Sequence, residues 1–184
     1  SGCGSGDEPG ADPGALSTSA TSPEAPGSTS PTAETGPEPE VEPATGPRVR
    51  LPALQIRLPD DGWDLSSVDG GFGSGIARDG TGQILVNQFP DIASNPDLDR
   101  LTRIRLQQVK ENEPFPVAIG EDLTLDGVPA RIIEGSGDGV HVSVLKSLVL
   151  VPEQLTLTLE MRTTGSAALH RERVESVLAS WQWR

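Results

Sequence analysis

Three observations predict an α+β fold built on a mainly antiparallel sheet. Apolar residues alternate with polar ones in short stretches between residues 54 and 161. The stretches follow one another through tight Gly, Asp and Pro turns rather than crossover helices, which is how antiparallel neighbours are joined. Only two segments carry the 3.6-residue period of an amphipathic helix, and one of them closes the chain. The order reads β-β-β-α-β-β-β-β-α.

The fold does not begin at residue 1. Of residues 1–47, thirty-six are Pro, Gly, Ser, Thr or Ala and eight are acidic, leaving Cys3, Leu16 and Val41. Such a segment has too little apolar surface to offset its ordering entropy and is expected to be a disordered tether. It holds nine of the seventeen prolines, and as a coil it would reach ~35–40 Å. Residues 17–23 and 28–32 have the Ser/Thr/Pro composition of O-glycosylated stalks, and equally of a plain solvated spacer. The formal charge of −13 divides into −8 for residues 1–47 and −5 for residues 48–184, where 14 basic face 19 acidic residues. That balance runs against a nucleic-acid partner.

Cys3 is the only cysteine, so no disulfide forms within one chain. Ser1-Gly2-Cys3 resembles the end of a bacterial lipobox, a signal cleaved before a cysteine that then carries a diacylglyceryl group. Each buried methylene adds about 0.8 kcal/mol, and two acyl chains give the stable anchoring that one does not. The expectation is a lipid on Cys3 and a location on the outer face of the cell membrane.

Residues 48–184 are read as the folded domain. Leu54, Ile56 and Leu58 alternate as a strand, which stops at the Pro59-Asp60-Asp61-Gly62 turn and resumes at Trp63-Asp64-Leu65. The glycine-rich run from Gly70 to Gly75 is not a phosphate loop, since neither a helix start nor a Lys-Ser/Thr pair follows. It reads as strand or loop. Asp79-Gly80-Thr81-Gly82 turns into the strand from Gln83 to Phe89. Ser94 or Asn95 is the expected cap of the first helix, with Leu98, Leu101, Ile104 (or the stem of Arg105) and Val109 facing the core. Arg100, Arg103 and Lys110 form a candidate docking patch for an acidic partner on another helix face, alongside the plainer reading of a solvated surface.

Asp126-Gly127 is the strongest hairpin signal in the chain, and Pro129 places its strand at a sheet edge or at its own beginning there. Val140, Val142 and Val144 alternate against His141 and Ser143. Continued, that register puts Lys146 among apolar positions. A bulge near Leu145–Ser147 or an edge location is the favoured account, and a lysine facing a partly apolar site is the other. Leu155, Leu157, Leu159 and Met161 share one strand face. Ser166 caps a last helix with Val174, Val177, Leu178 and Trp181 inward, and Trp183 leaves it extended.

Leu58-Pro59-Asp60-Asp61-Gly62-Trp63, the helix after Asn95, Leu125-Asp126-Gly127-Val128-Pro129-Ala130 and Ser180-Trp181-Gln182-Trp183 together resemble the PsbP-like superfamily, and within it the actinobacterial LpqN/LpqT-type lipoproteins. The resemblance covers residues 50–184 and implies an α/β/α sandwich whose known members act mostly by binding proteins. It brings no cofactor, metal ligand or catalytic residue.

The sequence therefore predicts a non-catalytic, membrane-anchored binding or accessory module whose partner is another envelope protein. The alternative is a carrier of a lipid or other apolar small molecule, with Lys146, Trp63 and Trp181 as candidate pocket residues. A cell-wall hydrolase relying on His141 or Asp61 ranks third. His170, on the last helix, reads as a helix-edge histidine.

Overall fold

The computed structural model describes residues 41–60, 62–90, 97–150 and 154–184, with backbone alone for Val149, Leu150 and Gln154. Cys3, Asp61, Ser94 and Asn95 lie outside the described residues.

The chain forms β1 (Arg48–Arg50), β2 (Leu54–Arg57), β3 (Trp63–Asp69), β4 (Phe72–Ala77), β5 (Gly82–Pro90), α1 (Leu98–Asn112), β6 (Val117–Leu125), β7 (Val128–Gly137), β8 (Val140–Leu150), β9 (Gln154–Thr164), α2 (Ala167–Ala179) and β10 (Gln182–Trp183). Two meanders, β3-β4-β5 and β6-β7-β8-β9, close on each other where β9 pairs with β5. The result is a seven-stranded sheet of order β3-β4-β5-β9-β8-β7-β6. Every pairing in it is antiparallel. A second, three-stranded sheet has the order β1-β2-β10.

The alternation of β8 and β9 sorts side chains onto two faces. Leu145, Leu157, Leu159 and Met161 join Val174 and Val177 of α2, Trp63, and Leu54 and Ile56 of β2 in one core. Val142 and Val144 turn the other way and pack with Ile133 and Val109 of α1. Each buried aliphatic side chain contributes roughly 1.5–3 kcal/mol. The large sheet is thus the middle layer of an α/β/α sandwich, with α1 over β6–β8 on one side and α2 plus the small sheet on the other.

Local chemistry explains most boundaries. Asp126 (φ 47°) and Gly127 (φ 83°) supply the two left-handed residues of the β6–β7 hairpin. Pro129 comes second in β7, an interior strand, so it marks a strand beginning and not a sheet edge. Ser166 Oγ accepts from the Leu169 amide 3.1 Å away, capping α2. The glycine-rich run is β4. A side chain at Gly73 would strike Val49, and one at Gly75 would come within 2.5 Å of Leu58, so the glycines let the small sheet lie directly on β4.

Four expectations are corrected. First, β8 carries no bulge and no edge: its register runs unbroken against β7 and β9, so Lys146 stays in phase with Val142 and Val144. A half-buried lysine is tolerated there because its stem packs while its head keeps some solvent. Burial, with Arg105 nearby, pushes its pKa down to about 8. Second, α1 is capped by Asp97, whose Oδ1 accepts from the Asp99 amide at 2.9 Å. Third, of the two readings for α1, Ile104 is 49 % exposed and the stem of Arg105 turns inward instead, with Thr102 and Leu106 beside Val109. Fourth, the fold starts before Arg48. Ala44 is 3 % exposed and its amide donates to Ser176 O at 2.8 Å, so residues 44–47 belong to the domain.

Trp183 follows α2 in extended conformation, as expected. It pairs with Leu54, and its Nε1 donates to Leu125 O at 2.9 Å, tying the small sheet to the β6–β7 hairpin.

Candidate functional site

The register of β7 against β8 sets His141 opposite Ser136, Ser143 opposite Glu134 and Leu145 opposite Ile132, all on the face that carries α2. After β9, Gly165 turns the chain into α2, which runs back across that face. One helix stripe, Val174, Val177 and then Trp181, enters the core with Trp63. A second stripe, Ala167, Arg171, Val174, Glu175 and Leu178, recurs at helical spacing and stands beside the sheet without closing on it.

Between that stripe and β6–β8 lies a groove of about 970 Å³. Its apolar surface comes from Leu123, Ile132, Val174 and Leu178, and its polar groups from Glu121, Glu134, His141, Ser143, His170 and Arg171. Volume and lining fall within the range of ligand-binding clefts. The sheet is uncovered here because β1 of the small sheet packs over β3 and β4, at the other end of the same face, and no residue of the small sheet lines the groove.

At the floor of the groove the two histidines meet, though twenty-nine residues separate them. Their rings stack with centroids 5.6 Å apart. His170 Nε2 is 2.8 Å from Ser143 Oγ, and Ser143 Oγ in turn reaches Glu134 Oε1 at 3.5 Å. His141 Nε2 lies 3.2 Å from Gly165 O. His170 is 8 % exposed and its Nδ1 has no hydrogen-bond partner. Burial, then His141 and Arg173, pushes its pKa down to about 4, so the ring is neutral near pH 7.

A hydroxyl against an imidazole invites comparison with a nucleophile–base pair. In such a pair a third group holds the second ring nitrogen, and the base titrates near the working pH. His170 has neither feature among the described residues. The pair is suited to donating and accepting hydrogen bonds. Among the described residues no group of three or more His, Cys, Asp or Glu side chains is arranged to hold a metal ion.

The remaining candidates are dispersed. Trp63 is 1 % and Trp181 8 % exposed, both within the core under α2. The Arg173 guanidinium carbon stands 5.4 Å over the Trp63 ring, and its nitrogens donate to Thr81 O and Oγ1 at 3.1 and 3.0 Å. Lys146 is on the opposite sheet face, so Lys146, Trp63 and Trp181 do not form one pocket. Arg100, Arg103 and Lys110 are exposed on α1, across the sheet from the groove. Asp60 Oδ1 accepts from the Gly62 amide at 2.6 Å, and Asp64 pairs with Arg78 at 2.7 Å, the hydrogen bond that lowers its pKa. Those carboxylates serve the turn and the hairpin.

Sequence reasoning missed His170 as a groove residue. The signal was present in two places: His141 and Ser143 share the polar face of β8, and His170 falls one turn before Val174 on the inward side of α2.

No family model matches the chain, and no curated protein sequence matches it. Several solved structures are similar in part, two of them as follows. One is a Bacteroides thetaiotaomicron protein, 17 % identical with a TM-score of 0.40 over 71 % of this chain and 45 % of that one, so the chain spans less than half of it. The other is LpqN, involved in cell envelope biogenesis of Mycobacterium tuberculosis, 15 % identical with a TM-score of 0.47 over 72 % of this chain and 85 % of that one.

Proposed function

We propose that this chain is a lipid-anchored, extracytoplasmic binding module of a cell envelope, acting without catalysis, and that it holds a segment of another envelope protein in the groove between α2 and β6–β8. The observation that carries the reading is the groove itself: an open cleft with an apolar lining and convergent polar groups, left by a helix that closes only half of its sheet face. The Ser143–His170 pair, in which the histidine Nδ1 has no orienting group among the described residues and the imidazole pKa is pushed down to about 4, supports recognition over turnover. The anchor rests on Cys3, the single cysteine, ahead of a polar, acidic stretch.

A second reading, a carrier of a lipid or other apolar small molecule, is favoured by the groove's volume and by Leu123, Ile132, Val174 and Leu178 along it.

One experiment separates these. A photo-cross-linking amino acid is placed at exposed, groove-lining Ser136, and separately at Arg103 on α1, in a lipoprotein-processing actinobacterial host. Cross-links to an envelope protein from position 136 and not from 103 are expected. Cross-links from 103 alone would transfer the function to the patch of Arg100, Arg103 and Lys110. Mass spectra of the same preparation read the rest. A diacylglyceryl increment on Cys3 is expected and an unmodified thiol removes the anchor, while a non-covalent apolar mass retained in the native spectrum favours the carrier.

A further inference from the structure

The charges around the groove are lopsided. Glu121 and Glu134 stand on the sheet side and Glu175 on the helix side, against Arg171 as the single guanidinium of the lining. None of these four has an ion-pair partner among the described residues. The contrast with the other sheet face is sharp, since Arg105 pairs with Glu160 and Arg162 with Glu113 there. These three carboxylates are exposed on the walls of the groove, and a ligand that carries a cation complements their charge.

The shape of the site is equally specific. It runs from Pro116, just before β6, along the strand to Leu123, roughly 20–25 Å of extended chain. β6 is the last strand of the sheet, so its outer backbone groups have no strand partner among the described residues. The bulge between Ile119 and Asp122, with Glu121 within it, keeps that edge from pairing indiscriminately. Ile119, 42 % exposed, offers an apolar contact beside it. A length of six or seven residues, an apolar floor and a carboxylate on each wall match an extended peptide whose side chains alternate apolar and basic. This chain carries the same alternation at Arg48-Val49-Arg50-Leu51 and Arg103-Ile104-Arg105-Leu106, but Val49 and Leu51 are buried and the second run is helical, so a folded second copy does not present it as an extended segment.

We infer that the groove binds an extended, basic segment of a partner protein laid along β6, with a lysine or arginine between Glu134 and Glu175 and its apolar neighbours on Leu123, Ile132 and Leu178. This rests on the groove being the binding site and adds the chemistry of the occupant.

The test is a titration of the full, isotope-labelled chain with a capped heptapeptide of alternating leucine and lysine, followed by amide shifts, with a leucine–glutamate peptide as the counterpart. Saturable shifts are expected at residues 117–123, 132–136 and 167–178, with the glutamate peptide at least about tenfold weaker. The Glu134→Gln, Glu175→Gln double variant is expected to lose at least about fivefold, while Glu111→Gln on α1 stays within about twofold. Equal binding of both peptides, an unaffected double variant, or shifts confined to other residues overturns the inference. Cross-linking from Ser136 to a partner without lysine-peptide binding overturns this inference alone and leaves the groove as the site. Absence of both removes the groove.

Discussion

The two halves of the α2 face make an instructive contrast. Over β4, β5 and β9 the face is sealed: Gly73 and Gly75 admit the small sheet, Trp63 lies under α2, and Arg173 joins Trp63 to Thr81 of the β4–β5 turn. Over β6–β8 the same face is open and carries Ser136, Glu134, His141 and Ser143 where the sealed half has Ile84, Val86, Leu157 and Leu159. One sheet and one helix serve both halves. The difference lies in which helix stripe meets the sheet and in where the small sheet packs, and it teaches that the groove is produced by incomplete coverage.

The largest effect is expected from breaking the sealed half. Trp63→Ala removes a wholly buried ring and the platform beneath Arg173, and should cost about 3–5 kcal/mol in urea unfolding. A loss below about 1 kcal/mol would mean that this half is not the stabilising one.

An intermediate effect marks the junction of the halves, where His170 is held neutral. Its folded pKa, about 4, lies below the ordinary 6.5, so the unfolded chain takes up the proton first. Its contribution is complete above about pH 6.5 and is lost as pH falls toward 4, by up to about 3 kcal/mol. The unfolding free energy of the parent minus that of His170→Gln, measured at pH 4.5, 5.5 and 7, should therefore rise with pH. A flat difference would contradict a buried neutral ring.

The smallest effect belongs to the open half. Glu134→Gln changes an exposed rim residue and should shift stability by no more than about 0.5 kcal/mol. A cost above about 1.5 kcal/mol would show that Glu134 supports the fold through Ser143, and the contrast between the halves would narrow.

Local signals were legible in the sequence. The Asp126-Gly127 hairpin, the Ser166 cap, the alternation of Leu155 to Met161 and the extended exit at Trp183 depend on neighbours within a few residues, and each appears as read. Misreadings arose where distant partners decide. Lys146 implied a bulge only because its solvent access beside α1 is invisible locally. On α1 the choice between Ile104 and the stem of Arg105 stayed open because the partner that draws Arg105 inward, Glu160, is fifty-five residues away. β1 and β10, three and two residues long, are strands only because each pairs with β2.

The sequence by itself determined the α+β class, the antiparallel sheet and the amphipathic helices, because period, turn chemistry and capping act over a few residues. Only the tertiary structure decided that His141, Ser143 and His170 meet, and that α2 shuts one half of its sheet face and leaves a groove on the other. Those outcomes depend on the register of β7, β8 and β9 and on the close approach allowed at Gly73 and Gly75, long-range contacts whose cost and reward appear only once the whole sheet is assembled.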